Sequence, residues 1–197
     1  LYLKRLFDIF FSFTGFLILL PFFLLISLLI LFDSKGGIFY KQLRVGKNGA
    51  DFYLFKFRSM RTDADKKGLL TVGGRDPRIT RIGYYLRKYK IDELPQLINV
   101  LTGDMSLVGP RPEVRKYVNL YNEEQKKVLR VQPGITDYAS IEYSNENEIL
   151  GKAENPEQVY IDEIMPAKLK LNLKYIAEKS LMTDLKIILR TLKKIVT

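Results

Sequence analysis

The 197-residue chain is 47% hydrophobic, enough for one sizeable core but not for a second independent domain of normal size. It contains no cysteine and no histidine, which excludes disulfides, thiol nucleophiles, the usual zinc ligand sets and a Ser-His-Asp triad, and leaves nucleophilic work to carboxylates, Lys, Tyr or Ser. The net charge of +10 is concentrated, because residues 41–90 hold 14 Lys/Arg against 4 Asp/Glu; such a basic field attracts phosphate on a nucleotide, a lipid headgroup or a nucleic acid.

Residues 9–32 carry no charge, and these 24 residues are long enough to cross a hydrocarbon core about 30 Å thick. A cleaved signal peptide does not fit, since the run is too long and no small-residue cleavage site follows. Lys4 and Arg5 precede the segment and Lys35, Lys41, Arg44 and Lys47 follow it, so both flanks carry the charge expected on the cytoplasmic side. Pro21 lies near the middle, where it costs an unbroken helix about 3 kcal/mol. A break there leaves two arms of about 18 Å, each half a bilayer. These features alone are as compatible with a kinked transmembrane helix as with a hairpin that enters and leaves by one face.

After the membrane segment, β-prone residues 38–40 and 52–55 flank a Gly46-Lys47-Asn48-Gly49 turn and predict a hairpin. Residues 63–77 read as a charged, glycine-rich loop. Helical spacing then recurs at Ile82, Tyr85, Leu86 and Tyr89, and again at Leu94, Leu97, Ile98 and Leu101 before Thr102-Gly103. A further helix is expected over residues 112–130, and residues 142–156 read as a polar surface loop. Leu181, Leu185, Ile188, Leu189 and Leu192 form one apolar stripe beside Lys186, Arg190, Lys193 and Lys194, a pattern shared by interfacial and docked surface helices. The fold class expected is α+β, mainly helical, with a small antiparallel sheet; residues 1–34 form the membrane element and residues 35–197 the catalytic domain.

Chemistry centres on Asp92-Glu93-Leu94-Pro95-Gln96. Pro95 in a first helical turn places both acids at a helix start, where Asp92 is a natural cap. Arg81, Arg87, Lys88 and Lys90 on the preceding helix bring cations beside them, so one carboxylate is placed to attack phosphorus while the cations hold phosphate oxygens. Lys56 and Arg58, alternate residues of one strand, share a face, and Arg111 is stiffened by prolines on both sides; these are the other phosphate-binding candidates, each with a structural salt bridge as the competing role. No Gly-x-Gly-x-x-Gly and no Walker loop is present.

The motifs in order resemble one family. They are Lys4-Arg5-Leu6-Phe7-Asp8, Pro21, Arg44-Val45-Gly46, Lys56-Phe57-Arg58-Ser59-Met60, Asp92 to Gln96, Asn99-Val100-Leu101, Gly103-Asp104-Met105-Ser106, the Gly-Pro-Arg-Pro of residues 109–112, Pro133-Gly134-Ile135-Thr136 and Asp184-Leu185. The chain resembles the bacterial sugar transferases, or monotopic phosphoglycosyl transferases, over nearly its whole length. The resemblance implies a re-entrant membrane helix hairpin, a catalytic domain on the cytoplasmic face of the inner membrane, and Mg²⁺ with Asp92 as its ligand. It implies Asp92 and Glu93 as the catalytic dyad, a nucleotide sugar (a UDP-sugar by family habit) as donor and polyprenyl phosphate as acceptor, through a phosphosugar-aspartate. A homodimer is left open, and nucleic acid is not expected as a partner because no helix-turn-helix or RNA-binding pattern is present.

The sequence departs from that pattern twice. Residues 137–141 and Ser144 replace a stretch that in many members carries an arginine, and Asn172 stands where many have Asp. The first stretch makes Asp137, Tyr138, Ser140 and Glu142 the candidates for reading the sugar. The alternative reading is a nonenzymatic membrane-anchored scaffold with a basic phosphate-binding surface.

Overall fold

The computed structural model describes residues 2–64, 68, 70–73 and 76–196. Part of the loop expected over residues 63–77 lies outside the described residues.

The apolar segment forms α1 (Tyr2–Asp33), with a mean hydropathy of 2.9 over its most apolar window. It is one continuous helix through Pro21, so the expected division into two arms at that residue is not seen. Proline removes only one N–H from the ladder, and the packing on either side of it keeps the helix together. Before it, Phe16 and Leu19, and after it, Phe23, Ile26 and Ile30, pack on one cluster with Phe57 and Leu86.

Both ends of α1 are fastened to the same body. At its start Lys4 donates to Asp184 (2.6 Å) and to the Val108 carbonyl, Arg5 donates to the Val100 and Leu101 carbonyls, and Asp8 accepts from Ser106 Oγ and Leu107 N–H. At its end Arg58 donates to the carbonyls of Ser34 and Lys35 (2.6 Å each), just past the helix, and reaches the Ile30 carbonyl of the last turn at 3.4 Å. Asp33 accepts from Ile82 N–H. The opposite face, with Phe10, Phe13, Ile18, Leu24 and Leu28, is exposed.

β1 (Phe39–Val45) and β2 (Asp51–Phe57) make the expected hairpin, antiparallel from Phe39↔Phe57 to Val45↔Asp51. Asn48 and Gly49 turn the chain with positive φ (56° and 75°), which Asn and Gly tolerate best. α2 (Arg81–Lys88) and α3 (Gln96–Thr102) match the helical spacing, and Gly103 in left-handed conformation ends α3. Asn99 ties α3 to the free edge of β2, accepting from Phe55 N–H (2.9 Å) and donating to the Tyr53 carbonyl (2.8 Å).

β3 (Ser106–Val108) and β4 (Gly134–Thr136) pair in parallel, a feature with no period-two signal in so short a run. Gly109 and Gly134 bring the two backbones together: a Cβ on Gly134 would lie 2.0 Å from Gly109 N, so no side chain fits. The long helix expected over residues 112–130 is instead α4 (Arg115–Val118) and a 3₁₀ segment (Gln125–Arg130). Asn122 and Gln125 exchange side-chain-to-backbone bonds of 2.9 Å, which starts a new turn instead of continuing the old one. Pro112 precedes an extended residue, Glu113, bridged to Val45.

The remaining chain is α5 (Tyr138–Glu142), α6 (Glu146–Gly151), α7 (Pro156–Val159) running through a π-helical turn into α8 (Met165–Glu178), and α9 (Leu181–Val196). Residues 146–151 are thus helical and not an open loop, because Leu150 is buried in the main core with Val45, Tyr117, Tyr160 and Leu169. On α9, Asp184 and Ile187 face the body while Met182, Leu185, Leu189 and Leu192 are exposed.

Asp184 is 1% exposed and accepts from both Lys4 and Tyr175, so it bonds α1 and α8 to α9. Asp184→Asn removes the charge that both donors face and is expected to cost about 1.5–3 kcal/mol. Thermal unfolding in detergent checks this, and an unchanged midpoint would show that the network does not hold α1 down.

Candidate active site

The turn between α2 and α3 creates the site. Lys90 adopts a left-handed conformation (φ 57°), uncommon for a residue with a side chain, and a 3₁₀ turn over Ile91–Glu93 follows. Asp92 therefore lies before Pro95, which holds the cap position of α3, and it makes no capping bond. Asp92 is 3% exposed, and its carboxylate accepts no hydrogen bond among the described residues. The capping role natural to an Asp in that position is not the one it has.

Glu93 is in the opposite state. Lys56 Nζ donates to Oε1 at 3.2 Å, and Arg111 grips both oxygens, with Nη1 to Oε2 at 3.0 Å and Nη2 to Oε1. Burial pushes the Glu93 carboxyl up, but Arg111 and Lys56 together outweigh it and hold it well below the usual range. Burial, then the adjacent Glu93 charge, pushes the Asp92 carboxyl up against the pull of Lys56, Arg87 and Lys90. Burial also lowers the Lys56 ammonium, against the attraction of Glu93. One acid is clamped as an anion; its neighbour is open and more easily protonated.

The fold holds Arg111 from several sides. The Val108 carbonyl accepts from Lys4 and from Tyr175, Gly109 N–H donates to Thr136 O, and Gly134 N–H donates to Pro110 O. Arg111 N–H donates to Asp137 (3.3 Å), and Arg44 donates to the Pro112 carbonyl (3.1 Å) while also pairing with Glu113. Lys56 is placed by Asn99, whose bond to Phe55 fixes the strand one residue earlier.

Asp92, Glu93, Lys56, Arg87, Lys90 and Arg111 line one cavity of about 1170 Å³, so the expected dyad and three of the four expected cations meet. Arg87 is held by Thr71 (2.9 Å). Arg58 touches the same cavity, but its terminal nitrogens are committed to the end of α1, which gives it a capping role.

The sugar-reading candidates separate. Asp137 is fully buried, caps α5 through Ser140 N–H (2.6 Å) and holds Arg111, so its task is positional. Ser140 lines the large cavity, together with Ser144 and Asn172. Ser140 Oγ and Asn172 Oδ1 are buried without a hydrogen-bond partner among the described residues. Tyr138 and Glu142 lie on the other side of α5, in a separate cavity of about 380 Å³ with Lys174, Lys186 and Arg190. Lys90 is where the sequence places it, beside the two acids, but sequence reasoning did not place Arg44 or Glu113 here. Arg44 had a signal only as part of a resemblance motif, and Glu113 had none.

With this geometry established, comparison with known proteins identifies the class: the model of the bacterial sugar transferase family matches residues 1–197, and the chain belongs to that family. It is 41% identical over 198 residues to the exopolysaccharide production protein PSS of Rhizobium leguminosarum bv. phaseoli, covering 97% of this chain and 94% of that protein. It is 41% identical over 198 residues to the undecaprenyl-phosphate glucose phosphotransferase of Komagataeibacter xylinus (97% of this chain, 35% of that protein). It is 34% identical over 200 residues to the UDP-glucose:undecaprenyl-phosphate glucose-1-phosphate transferase of Escherichia coli K12 (98% and 40%). The chain thus spans well under half of the last two.

If Asp92 must be ionised to act, activity falls with acid earlier than for an ordinary carboxylate of pKa 3.8, because its own is raised. Glu93→Gln removes the neighbouring negative charge, so the acid limb of the residual activity moves to lower pH. Lys56→Met removes a cation and moves it to higher pH. Profiles of kcat/KM against pH check both; shifts of the same sign would contradict the assignment.

Proposed function

We propose that this chain is a phosphoglycosyl transferase that moves a sugar-1-phosphate from a nucleotide diphosphate sugar to polyprenyl phosphate, with Asp92 as nucleophile. The observation that carries this reading is the unequal pair: a buried Asp92 with no hydrogen bond beside a Glu93 whose two oxygens are engaged. Family membership and the activities named for the relatives from K. xylinus and E. coli supply the reaction class.

A carboxylate oxygen of Asp92 attacks the sugar-proximal phosphorus, and the bond from that phosphorus to the bridging oxygen breaks, releasing a nucleoside monophosphate with the electron pair. An oxygen of the polyprenyl phosphate then attacks the same phosphorus and Asp92 leaves. The four cations acting on the dyad, Lys56, Arg87, Lys90 and Arg111, exceed its two carboxylates by two charges, which suits a dianionic diphosphate. Glu93 acts by positioning Arg111 and Lys56, since its low pKa makes it a poor proton donor.

No group of three or more acidic side chains converges on a metal position among the described residues. Mg²⁺ usually binds one or two carboxylates plus substrate phosphates, so Asp92, free of hydrogen bonds, is the residue that would share it with the diphosphate, whose charge the ion would lower. Ser140, with Ser144 and Asn172, is the side of the cavity we assign to the donor's sugar.

For the membrane, we propose that α1 enters one leaflet without crossing, with the catalytic body on the cytoplasmic face of the inner membrane. Contacts at its beginning, middle and end with one body support this, as does its exposed apolar outer face. Cysteines replacing Tyr2 and Lys179 should be shielded equally from an impermeant reagent in intact cells. Labelling at residue 2 alone would mean that α1 spans.

Donor without acceptor should release about one nucleoside monophosphate per enzyme in a burst, and Asp92→Asn should abolish it. Steady-state kinetics should be ping-pong. An obligatory ternary complex, or full activity in Asp92→Asn, would overturn the two-step mechanism.

A further inference from the structure

The cavity around Asp92 is larger and more apolar than a diphosphate site requires. Its volume of about 1170 Å³ exceeds the roughly 300–1,000 Å³ usual for a single small-molecule site. Beyond the cations its wall changes character, with Phe7 and Phe11 from α1, Leu97 from α3, Leu107 from β3, and Ile188 and Leu192 from α9. A nucleotide sugar, rich in hydroxyls and phosphate charge, gains little from such a wall. Phe11 and Leu192 are 49% and 56% exposed, apolar surface that the fold itself leaves uncovered.

We propose that the groove between the first half of α1 and α9 receives the first isoprene units of the polyprenyl phosphate acceptor, with the phosphate at its inner end facing Asp92. The proposal rests on the transferase reading above. Continuity is the first argument, since the apolar wall and the charged dyad belong to one cavity, and Leu94 and Leu97 follow Asp92 and Glu93 along the same short stretch of chain.

Charge is the second argument. The occupant must be apolar along most of its length and anionic at one end, because Lys56, Arg87, Lys90 and Arg111 are gathered at the dyad, whereas the lining from α1, α3, β3 and α9 is apolar but for Thr191 and Lys194 near the end of α9. An isoprenoid phosphate has this form. The third argument is the shape of α9, whose apolar arc is wider than docking needs: Ile187 is buried in the body, Ile188 and Leu192 face the cavity, and Leu189 lies outside it. The groove borders the exposed apolar face of α1, so the rest of a long chain would continue into lipid.

The test uses the full chain in nanodiscs with an isoprenyl phosphate carrying a diazirine on its second isoprene unit. After irradiation, peptide mapping should place the label on residues 7–19 and 185–195. Unlabelled polyprenyl phosphate should compete, and uncharged polyprenol or phospholipid should not. Equal competition by phospholipid would make the groove a general acyl-chain site, and label confined to α2 would place the lipid elsewhere; either result overturns the proposal.

A kinetic arm uses two residues of equal exposure on one helix. Leu192→Gln should raise the acceptor KM about tenfold and flatten the preference for long over ten-carbon acceptors. Leu189→Gln, at a position 58% exposed but outside the cavity, should leave that preference unchanged. Equal effects at both positions would mean general membrane docking and overturn the groove. Failure to transfer phosphosugar to any polyprenyl phosphate would instead defeat the underlying transferase reading.

Discussion

Glu93 presents both carboxylate oxygens to Arg111 and one to Lys56, and this clamp gives its neighbour Asp92 a separate role. Two adjacent acids in one buried site repel each other, and the cheapest arrangement is to pair one fully and leave the other to share the field. Arg111 and Lys56 hold Glu93 low, while burial, and then the Glu93 charge, push Asp92 up, which divides the dyad into a fixed anion and an acid left without a hydrogen bond. Removing Arg111 would leave the buried Glu93 with Lys56 as its one remaining hydrogen-bonded cation, and breaking a buried pair typically costs about 3–5 kcal/mol. Stability and chemistry thus depend on one contact.

That contact is held in place by α1. Residues 108–112 are fixed by bonds from α1, α8, β4, the start of α5 and β1, and the one from α1 is made by Lys4, which also pairs with Asp184 on α9. α1 is therefore part of the catalytic body and not a tether for it, since Phe23, Ile26 and Ile30 complete a core with Phe57 and Leu86. Arg58 closes the other end of the helix, and its neighbour two positions earlier, Lys56, reaches Glu93. Each end of α1 is thus bonded to a short stretch of chain that carries a residue holding Glu93.

What could be read in advance follows from the range of the interactions. The hairpin, α2 and α3 were legible because their signals are local: a turn with Asn48 and Gly49, and helical spacing ended by Gly103. The meeting of Asp92, Glu93, Lys56 and Arg111 was legible as an ordered set of motifs, although the clamp itself, which joins residues 18 and 37 positions apart, has no local signature. The parallel pairing of β3 and β4 joins two three-residue strands through glycine contacts that no periodicity records. Arg58 was read as a phosphate ligand because its strand face pointed that way, but the carbonyls ending α1 lay closer. The helix expected over residues 112–130 failed on one local competition, the exchange between Asn122 and Gln125. Continuity through Pro21 depended on packing against Phe57 and Leu86, partners far away in sequence.

In the proposed mechanism the unclamped acid, and not the clamped one, becomes bonded to phosphorus. Enzyme incubated with donor alone, quenched in acid and digested, can be fragmented by tandem mass spectrometry to locate the added phosphosugar between two adjacent residues. The proposed two-step mechanism predicts the adduct on Asp92, with Glu93 unmodified. An adduct on Glu93, or none on a donor-exhausted enzyme, would contradict the account.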